Sequence, residues 1–403
     1  MKLRRGHVRL NIILFCLLVS LSASASADEE GAGDVSTKNL GIKKLVLPSE
    51  MPRFEYRSGY EFEYPDAVRG IYVSGNSAGG SRFNELTKLV DETELNAMVI
   101  DVKNDHGNLT YRPAKESKYE RISHQFIKDP QAMLKTLEEK KIYPIARIVV
   151  FKDSVLAKEK PEWSFKEKNG EVWTNGRGES FVNPFLKEVW DYNVDLAIEA
   201  AKMGFKEIQF DYVRFPEGFE KRDADLNYQT GKYGESAEDN VQKRVNAITD
   251  FVAYAKEKLK PYGVDVSVDI FGYSATIPEA PGIGQNFSKI SSNVDVISSM
   301  IYPSHWTGYF GVNKPDLEPY KMIKEYSKVE KQKLEKLDNP PTSRPWLQDF
   351  TASYLGSGNY QEYGKEEVED QIKALNEEGI NEFLLWDAAN SYSRGVDYTP
   401  LSK

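Results

Sequence analysis

The chain has 403 residues, of which 40% are hydrophobic and 29% charged, so it can form a soluble globular domain with a large core and is not disordered throughout. A formal net charge of −9 argues against nucleic acid as the main partner, because binding phosphates needs a concentrated basic surface, and it favours an uncharged or basic ligand. The single cysteine, Cys16, excludes a disulfide framework, and four histidines without metal-ligand spacing argue against zinc, so neither a metal nor a cofactor is predicted.

The first 27 residues have the pattern of a secretory signal peptide. A basic segment over residues 2–9 precedes an apolar run over residues 10–21, and Ala25-Ser-Ala27 supplies the small residues of a cleavage site. The apolar run is shorter than the ~20 residues that a membrane-spanning helix needs. We therefore predict cleavage near Ala27, a secreted or cell-envelope protein, and no stable membrane span after processing. Residues 28–66 are rich in Gly, Ser, Asp and Glu, which predicts a spacer or an N-terminal arm.

From Val68 onward, short β-branched segments alternate with longer helical segments, which predicts a parallel sheet. The predicted strands are residues 68–75, 97–103, 143–151, 207–215, 265–272, 294–302, 344–350 and 382–386. The predicted helices are residues 82–95, 130–140, 184–203, 240–260, a short stretch after residue 283, 319–337 and 365–378. These units predict one α/β domain, a (β/α)8 TIM barrel with enlarged βα loops over residues 67–395, followed by a tail over residues 396–403. An open doubly wound sheet is the alternative, but Gly75, Gly79 and Gly80 lack the spacing of a phosphate-binding loop.

The fourth predicted strand has one apolar face and one polar face. Ile208 and Phe210 alternate with Gln209 and Asp211, and Pro216 ends the ladder because it has no N–H to donate. In a parallel barrel the apolar face packs on helices while the other face lines the interior and the mouth. Asp211 is therefore expected at the carboxyl end of the barrel, where such folds keep their active sites.

Polar or aromatic side chains end seven of the eight predicted strands. Such an aspartate is often only a helix N-cap, or part of a structural ion pair, but the set as a whole favours a working cleft. Aromatic rings such as Trp306 and Trp386 offer stacking faces for sugar rings, so a carbohydrate is the expected ligand. The residues predicted to bind substrate are Asp101, Lys103, Arg147, Arg214, Tyr302, His305, Gln348 and Trp386.

Two carboxylates facing one cleft are typical of glycosidic-bond hydrolysis, and Asp211 and Asp269 are the natural pair. They end consecutive strands that would lie ~4.8 Å apart, which suits the ~5–5.5 Å carboxyl separation of a retaining enzyme. We predict Asp211 as the nucleophile, since Arg147 and Arg214 would keep it ionised, and Asp269 as the proton donor. Glu217 and Asp349 are the alternative acid/base residues, although Asp349 turns away if Trp346 and Gln348 point inward.

Six segments of the chain resemble a known bacterial family of glycoside hydrolase-like domains, DUF4015. The segments are Gln209-Phe-Asp-Tyr-Val-Arg-Phe-Pro216, Gly70-Ile-Tyr-Val73, Ala97-Met-Val-Ile-Asp-Val-Lys103, Ala146-Arg-Ile-Val-Val-Phe-Lys152, Met300-Ile-Tyr-Pro303 and Pro345-Trp-Leu-Gln-Asp349. The resemblance covers residues 67–395 and implies a glycosidase-type TIM barrel in a secreted or envelope protein. It also implies that Asp211 is the nucleophile, because several related barrels place that residue at the end of strand four, with the donor on strand five or six.

Three functions remain open at the level of sequence. The first is a retaining glycoside hydrolase acting on an extracellular or cell-wall polysaccharide. The second is a non-catalytic carbohydrate-binding barrel, which would keep the aromatic residues and tolerate loss of either carboxylate. The third is a metal-dependent deacetylase or esterase using Asp101, Asp211 and His305, which the small number of histidines disfavours.

Overall fold

The computed structural model describes residues 56–401, and these residues contain a closed barrel of eight parallel strands. Each strand pairs with its neighbours in chain order, and β8 pairs with β1, with Phe383 opposite Arg69, which closes the ring. Closure confirms the predicted (β/α)8 barrel and excludes the open sheet. The barrel strands are β1 (Arg69–Val73), β2 (Ala97–Lys103), β3 (Tyr143–Val149), β4 (Glu207–Asp211), β5 (Asp265–Phe271), β6 (Val296–Met300), β7 (Trp346–Gln348) and β8 (Phe383–Trp386).

Helices follow the strands and cover the outside of the barrel. They are α1 (Gly75–Gly79), α2 (Arg82–Asp91), α3 (Pro130–Glu139), α4 (Ser154–Glu159), α5 (Lys187–Met203), α6 (Asn240–Leu259), α7 (Phe287–Ser291), α8 (Pro319–Leu334) and α9 (Lys365–Glu377). Their ends follow local chemistry. Asp129 caps α3 by accepting a hydrogen bond from the Ala132 N–H at 2.9 Å, and Pro130 occupies the first turn. Gly204 ends α5 with φ of 129°, in the region that favours glycine.

Several strands are shorter than the sequence predicts, and three short strands were not predicted. β4 ends at Asp211 rather than at residue 215, because Tyr212 adopts φ of 53° and leaves the extended conformation. β7 comprises only Trp346–Gln348 rather than residues 344–350. The additional strands are Leu109–Tyr111, Ser123–Ile127 and Thr342–Ser343. The first of them pairs antiparallel with the end of β2, so the loop after β2 folds back against the barrel.

The alternating pattern of β4 places its side chains as predicted. Ile208 and Phe210 are fully buried in the layer between strands and helices, which forms the main hydrophobic core. A second, smaller apolar cluster that includes Ile145, Trp346 and Leu384 fills the inside of the barrel. The barrel is therefore a packed core rather than a pore, and only its two ends are available for a site.

A buried ion cluster closes the amino-terminal end of the barrel. Arg344 is fully buried and donates to both Glu207 carboxylate oxygens at 2.8 Å and to Glu382 Oε2 at 2.8 Å. Tyr64, from the predicted N-terminal arm, donates to Glu382 Oε1 at 2.8 Å and accepts from Arg344 Nη2 at 2.8 Å. Pairing offsets the cost of burying these charges. A cleft lined by the inward-facing residues of the barrel can therefore open only at its carboxyl-terminal end.

The predicted signal peptide and residues 28–55 of the predicted spacer lie outside the described residues. Residues 56–66 of the arm pack on the barrel, and in the predicted tail Val396 and Tyr398 are buried. Within residues 56–401, none of the helices combines the length and the apolar character needed to cross a lipid bilayer.

Candidate active site

A cavity of about 750 Å³ opens at the carboxyl-terminal end of the barrel. Six strands contribute side chains to it: Arg147, Asp211, Asp269, Met300, Trp346 and Trp386, from β3 to β8 in that order. Loop residues, including Tyr302 and His305, complete the wall. A cavity of about 400 Å³ at the opposite end lies against the arm and contains no strand-end carboxylate. The chemistry predicted from the strand ends therefore converges on the first cavity.

Arg147 holds Asp211 in the cavity wall. Its Nε and Nη2 donate to Asp211 Oδ2 at 3.0 and 2.6 Å, and both side chains are buried. The backbone N–H of Tyr212 donates to Asp211 Oδ1 at 2.6 Å. Tyr212 reaches this position with a positive φ, a conformation that costs a bulky residue free energy and that often marks functional sites. Charge-assisted bonds to a planar guanidinium fix the carboxylate in one orientation.

Arg147 is itself held by two further carboxylates. Its Nη1 donates to Asp101 Oδ1 at 2.7 Å, and its Nη2 donates to Asp105 Oδ1 at 2.8 Å. Tyr72 donates to the other oxygen of Asp101 at 2.7 Å. Burial raises the pKa of Asp101, and the charge of Arg147 and the Tyr72 hydrogen bond oppose that rise. Asp101 was predicted to bind substrate, but it does not line the cavity; it is bonded to Arg147 and Tyr72 and positions Arg147 instead.

Asp269 has a different environment although it neighbours Asp211. Phe210 and Val268 are paired in the ladder, so Asp211 and Asp269 are the next residues on adjacent strands. Asp269 is only 2% exposed, and Trp346 Nε1 donates to its Oδ1 at 2.8 Å. Burial, followed by the charge of Asp211, raises the pKa of Asp269 well above its usual value. The two carboxyl groups are thus set apart, one paired with a guanidinium and the other favouring its protonated form.

Aromatic rings form the floor of the cavity. Trp386 stacks on Tyr72 with ring centroids 4.1 Å apart, and Trp346 meets Trp386 edge-on at 5.5 Å. The Arg147 guanidinium lies 5.4 Å from the centre of the Trp386 ring. These contacts fix the plane of Trp386, the residue that the sequence indicated as a stacking surface.

The rim carries the remaining predicted residues of the cavity. Arg214 Nη2 donates to Glu217 Oε1 at 3.1 Å, and the Glu217 side chain is 70% exposed. His305 packs edge-on against Tyr302 at 5.0 Å, and burial lowers its pKa, so it is neutral at pH 7. The predicted cavity residues Arg214, Tyr302, His305 and Glu217 therefore surround the carboxylate pair at the mouth.

Lys103 was expected to bind substrate but lies in the layer between strands and helices. Its ammonium contacts Asp153 Oδ2 at 2.6 Å and donates to Asn193 Oδ1 at 3.0 Å, and the side chain is fully buried. The strand register shifts between Asp101 and Lys103, which breaks the alternation that would have turned Lys103 inward. The bulge is the physical reason for this correction.

Gln348 and Asp349 were also predicted near the cleft, and neither lines the cavity. Gln348 is fully buried, accepts from the Ser304 N–H at 3.0 Å and donates to Asp316 at 2.9 Å, so it supports the loop after β6. Asp349 accepts from the Ser393 hydroxyl at 2.6 Å, and burial raises its pKa to about 7. Both residues hold loops around the site rather than facing its contents.

Sequence reasoning did not assign several cavity or support residues to the site, among them Tyr72, Asp105, Tyr212, Met300 and Trp346, the last of which it considered only as an inward-facing residue. The alternation of the first and seventh strands placed Tyr72 and Trp346 on inward faces, which was a usable signal. Asp105 follows β2 in a loop and reaches Arg147 only because that loop folds back. Among residues 56–401, no group of three or more His, Cys, Asp or Glu side chains is arranged to hold a metal ion.

A closed (β/α)8 barrel with strand-end carboxylates above an aromatic floor defines a glycosidase-type barrel. Residues 70–392 match DUF4015, described as a "Putative glycosyl hydrolase domain", and the chain belongs to this family. The resemblance seen in the sequence is thereby confirmed. No curated protein matches the chain significantly.

Two solved glycoside hydrolase structures show the same fold. The PgaB (BpsB) glycoside hydrolase domain from Bordetella bronchiseptica is 13% identical with a TM-score of 0.56, over 80% of this chain and 94% of that domain. An α-amylase from Lactobacillus plantarum is 13% identical with a TM-score of 0.50, over 79% of this chain and 70% of the amylase. A hypothetical protein from Ruminiclostridium thermocellum ATCC 27405 is 33% identical with a TM-score of 0.43, over 49% of this chain and 96% of its own.

Proposed function

We propose that the protein is a retaining glycoside hydrolase acting on an extracellular or cell-wall polysaccharide. The observation that carries the proposal is the contrast between two neighbouring carboxyl groups. Asp211 is bonded twice by Arg147, whereas Asp269 is buried beside it with a raised pKa. Glycosidic cleavage requires one ionised and one protonated carboxyl group, and environment assigns the two roles.

In the first step, an Asp211 oxygen attacks the anomeric carbon as the bond from that carbon to the leaving oxygen breaks. Asp269 gives its proton to the leaving oxygen, so the departing sugar leaves as a neutral alcohol. In the second step, Asp269, now ionised, takes a proton from water as the water oxygen attacks the same carbon and releases Asp211. Two displacements on one carbon retain the anomeric configuration.

Arg147 and Trp346 affect the reaction through their bonds to Asp211 and Asp269. Arg147 holds the Asp211 carboxylate in one orientation before attack, and the bonds from Arg147 to Asp101 and Asp105 prevent Arg147 from turning away. Trp346 donates to Asp269 and so favours the ionised form that the first step produces. Both are positioning residues.

Glu217 is the alternative proton donor, because it lines the cavity at the rim. Its exposed side chain accepts a hydrogen bond from Arg214 at the rim, whereas Asp269 is buried next to Asp211 and has a raised pKa. Asp269 is therefore the better donor. Burial raises the pKa of Asp349 to about 7, but its side chain does not line the cavity, so we do not propose it as the proton donor.

The proposed site of action is outside the cytoplasm, supported by the basic segment, apolar run and Ala25-Ser-Ala27 of the sequence. Sequencing the amino terminus of secreted material should find Asp28 or a near neighbour. Recovery of intact Met1 on a membrane-bound product would contradict secretion.

The proposal is tested by incubating the purified protein with a panel of polysaccharides and detecting new reducing ends. For a substrate that is cut, proton NMR of the first product identifies its anomer, which should match the substrate. Binding without any new reducing ends would support the carbohydrate-binding alternative and overturn the hydrolase. A product with the opposite anomeric configuration would agree with hydrolysis but would refute the covalent intermediate on Asp211.

A further inference from the structure

A further cavity of about 340 Å³ adjoins the main one on the side of the loops after β3 and β4. Arg177, Tyr212, Arg214 and Glu217 line both cavities, so the two are continuous. A polysaccharide chain that places one bond at the carboxylate pair would therefore lay a neighbouring sugar residue here. Trp173 is buried in the wall of this cavity of about 340 Å³.

Five charged side chains line this cavity, and three of them are arginines. Of its five charged residues, Glu179 is paired with Lys152 at 2.8 Å and Glu217 with Arg214 at 3.1 Å. Arg177 and Arg222 form no salt bridge to any carboxylate of residues 56–401, although Glu179 attracts Arg177 at longer range. The Arg222 guanidinium lies 5.5 Å from the centre of the Trp173 ring, which orients it.

The exposed guanidinium groups of Arg177 and Arg222, in the wall of one cavity, suit a ligand with an anionic group. Arginine binds carboxylates in a bidentate geometry that a neutral hydroxyl cannot reproduce, so the pair would select for charge. From this geometry we infer that the cavity is a subsite for a sugar residue that carries a carboxylate, which makes the substrate an acidic, uronic acid-containing polysaccharide. The inference rests on the proposed function for its substrate class.

The overall charge of the chain points the other way, since −9 favours an uncharged or basic ligand. Distance decides whether the net charge of the chain or the local arginines dominates the binding of an acidic ligand. At physiological ionic strength, charges more than ~8 Å apart in solvent are largely screened. Contacts inside the subsite therefore outweigh the repulsion of the remote surface, and the local arginines set the preference.

The test compares matched oligosaccharides by isothermal titration. One set contains galacturonate or glucuronate residues, and the other contains the same chains after chemical reduction of each carboxyl group to the neutral alcohol. Titrations use Asp211→Asn protein so that the chains stay intact, and are repeated with wild-type protein at low temperature. The acidic chains should bind at least about tenfold more tightly, in a salt-sensitive manner, as expected for charge-assisted bonds.

Variants locate the effect. Replacing both exposed arginines, Arg177→Gln with Arg222→Gln, should abolish the preference for the acidic chain. Arg112→Gln is the matched control, because Arg112 is exposed, lies outside both cavities and pairs with Glu120. It should keep the preference. Equal binding of acidic and neutral chains by the parent protein, or an undiminished preference in the double variant, would overturn the subsite.

These titrations are independent of catalysis. A protein that prefers the acidic chains but hydrolyses none would retain the subsite and refute the hydrolase. A protein that hydrolyses neutral chains while showing no preference for acidic ones would retain the hydrolase and refute the subsite.

Discussion

Replacing Asp349 with asparagine should make the protein less sensitive to rising pH. Asp349 is 3% exposed, accepts hydrogen bonds from the Ser393 N–H and hydroxyl, and lies near the charge of Asp387. Burial raises its pKa to about 7 in the folded protein, against ~3.9 in an unfolded chain. The folded state therefore holds this proton more tightly, and its contribution to stability is present at low pH and is lost as pH rises towards 7.

The magnitude follows from the two pKa values. Each pH unit in which only the folded state keeps the proton lowers the free energy of unfolding by ~1.4 kcal/mol. Between pH 5 and pH 8 the loss at this one group is about 2–3 kcal/mol, because it levels off above the folded pKa. The asparagine of the Asp349→Asn variant does not titrate. The free energy of unfolding of the variant, relative to that of wild type, should therefore rise by about 2–3 kcal/mol between pH 5 and pH 8.

Urea unfolding followed by circular dichroism at pH 5, 6, 7 and 8 measures this difference. Asp225→Asn is the control, because that carboxylate is 71% exposed and paired with Lys168 at the surface, and its difference from wild type should stay flat. Asp349→Asn should also keep its hydrolytic activity, since the side chain does not line the cavity. A pH-independent difference between Asp349→Asn and wild type would refute the assignment of a raised pKa.

Three further substitutions test the site and its support. Asp269→Asn should abolish cleavage of natural substrates but spare the first step for nitrophenyl glycosides, whose leaving group departs without a proton; equal loss on both would move the acid role elsewhere. Trp346→Phe removes a hydrogen bond that lowers the pKa of Asp269, so the alkaline limb of the pH–rate profile should move upward, and an unmoved limb would contradict the contact. Arg344→Met leaves Glu207 and Glu382 buried without their partner and should cost about 3–5 kcal/mol in urea unfolding, whereas a loss below ~1 kcal/mol would show that the cluster is not needed.

Patterns of period two within single strands gave the most reliable expectations. The alternation of Ile208 and Phe210 with Gln209 and Asp211 predicted both the helix-packed face and the cavity-facing carboxylate. Trp386 was predicted as a stacking surface because it is an aromatic residue at the end of the eighth strand, and it lines the cavity. Alternation is a property of the extended backbone itself, so it can be read without knowing the neighbouring strands.

Alternation failed where the backbone left the regular strand. The bulge between Asp101 and Lys103 turned Lys103 away from the interior, and the positive φ of Tyr212 ended β4 early. The bonds from Arg147 to three aspartates could not be predicted from the sequence either. They depend on the strand register and on the path of the loop that carries Asp105. These features arise from tertiary contacts, which local patterns do not encode.

The most direct test of the account is to identify the residue that becomes covalently glycosylated. Once a cleaved substrate is known, the matching 2-deoxy-2-fluoroglycoside with a good leaving group should slow the second displacement and trap the intermediate. Mass spectrometry of the intact protein followed by peptide mapping should find one sugar esterified to Asp211, and Asp211→Asn protein should remain unlabelled. A label on another carboxylate, or efficient turnover by Asp211→Asn, would contradict the assignment of Asp211 as the nucleophile.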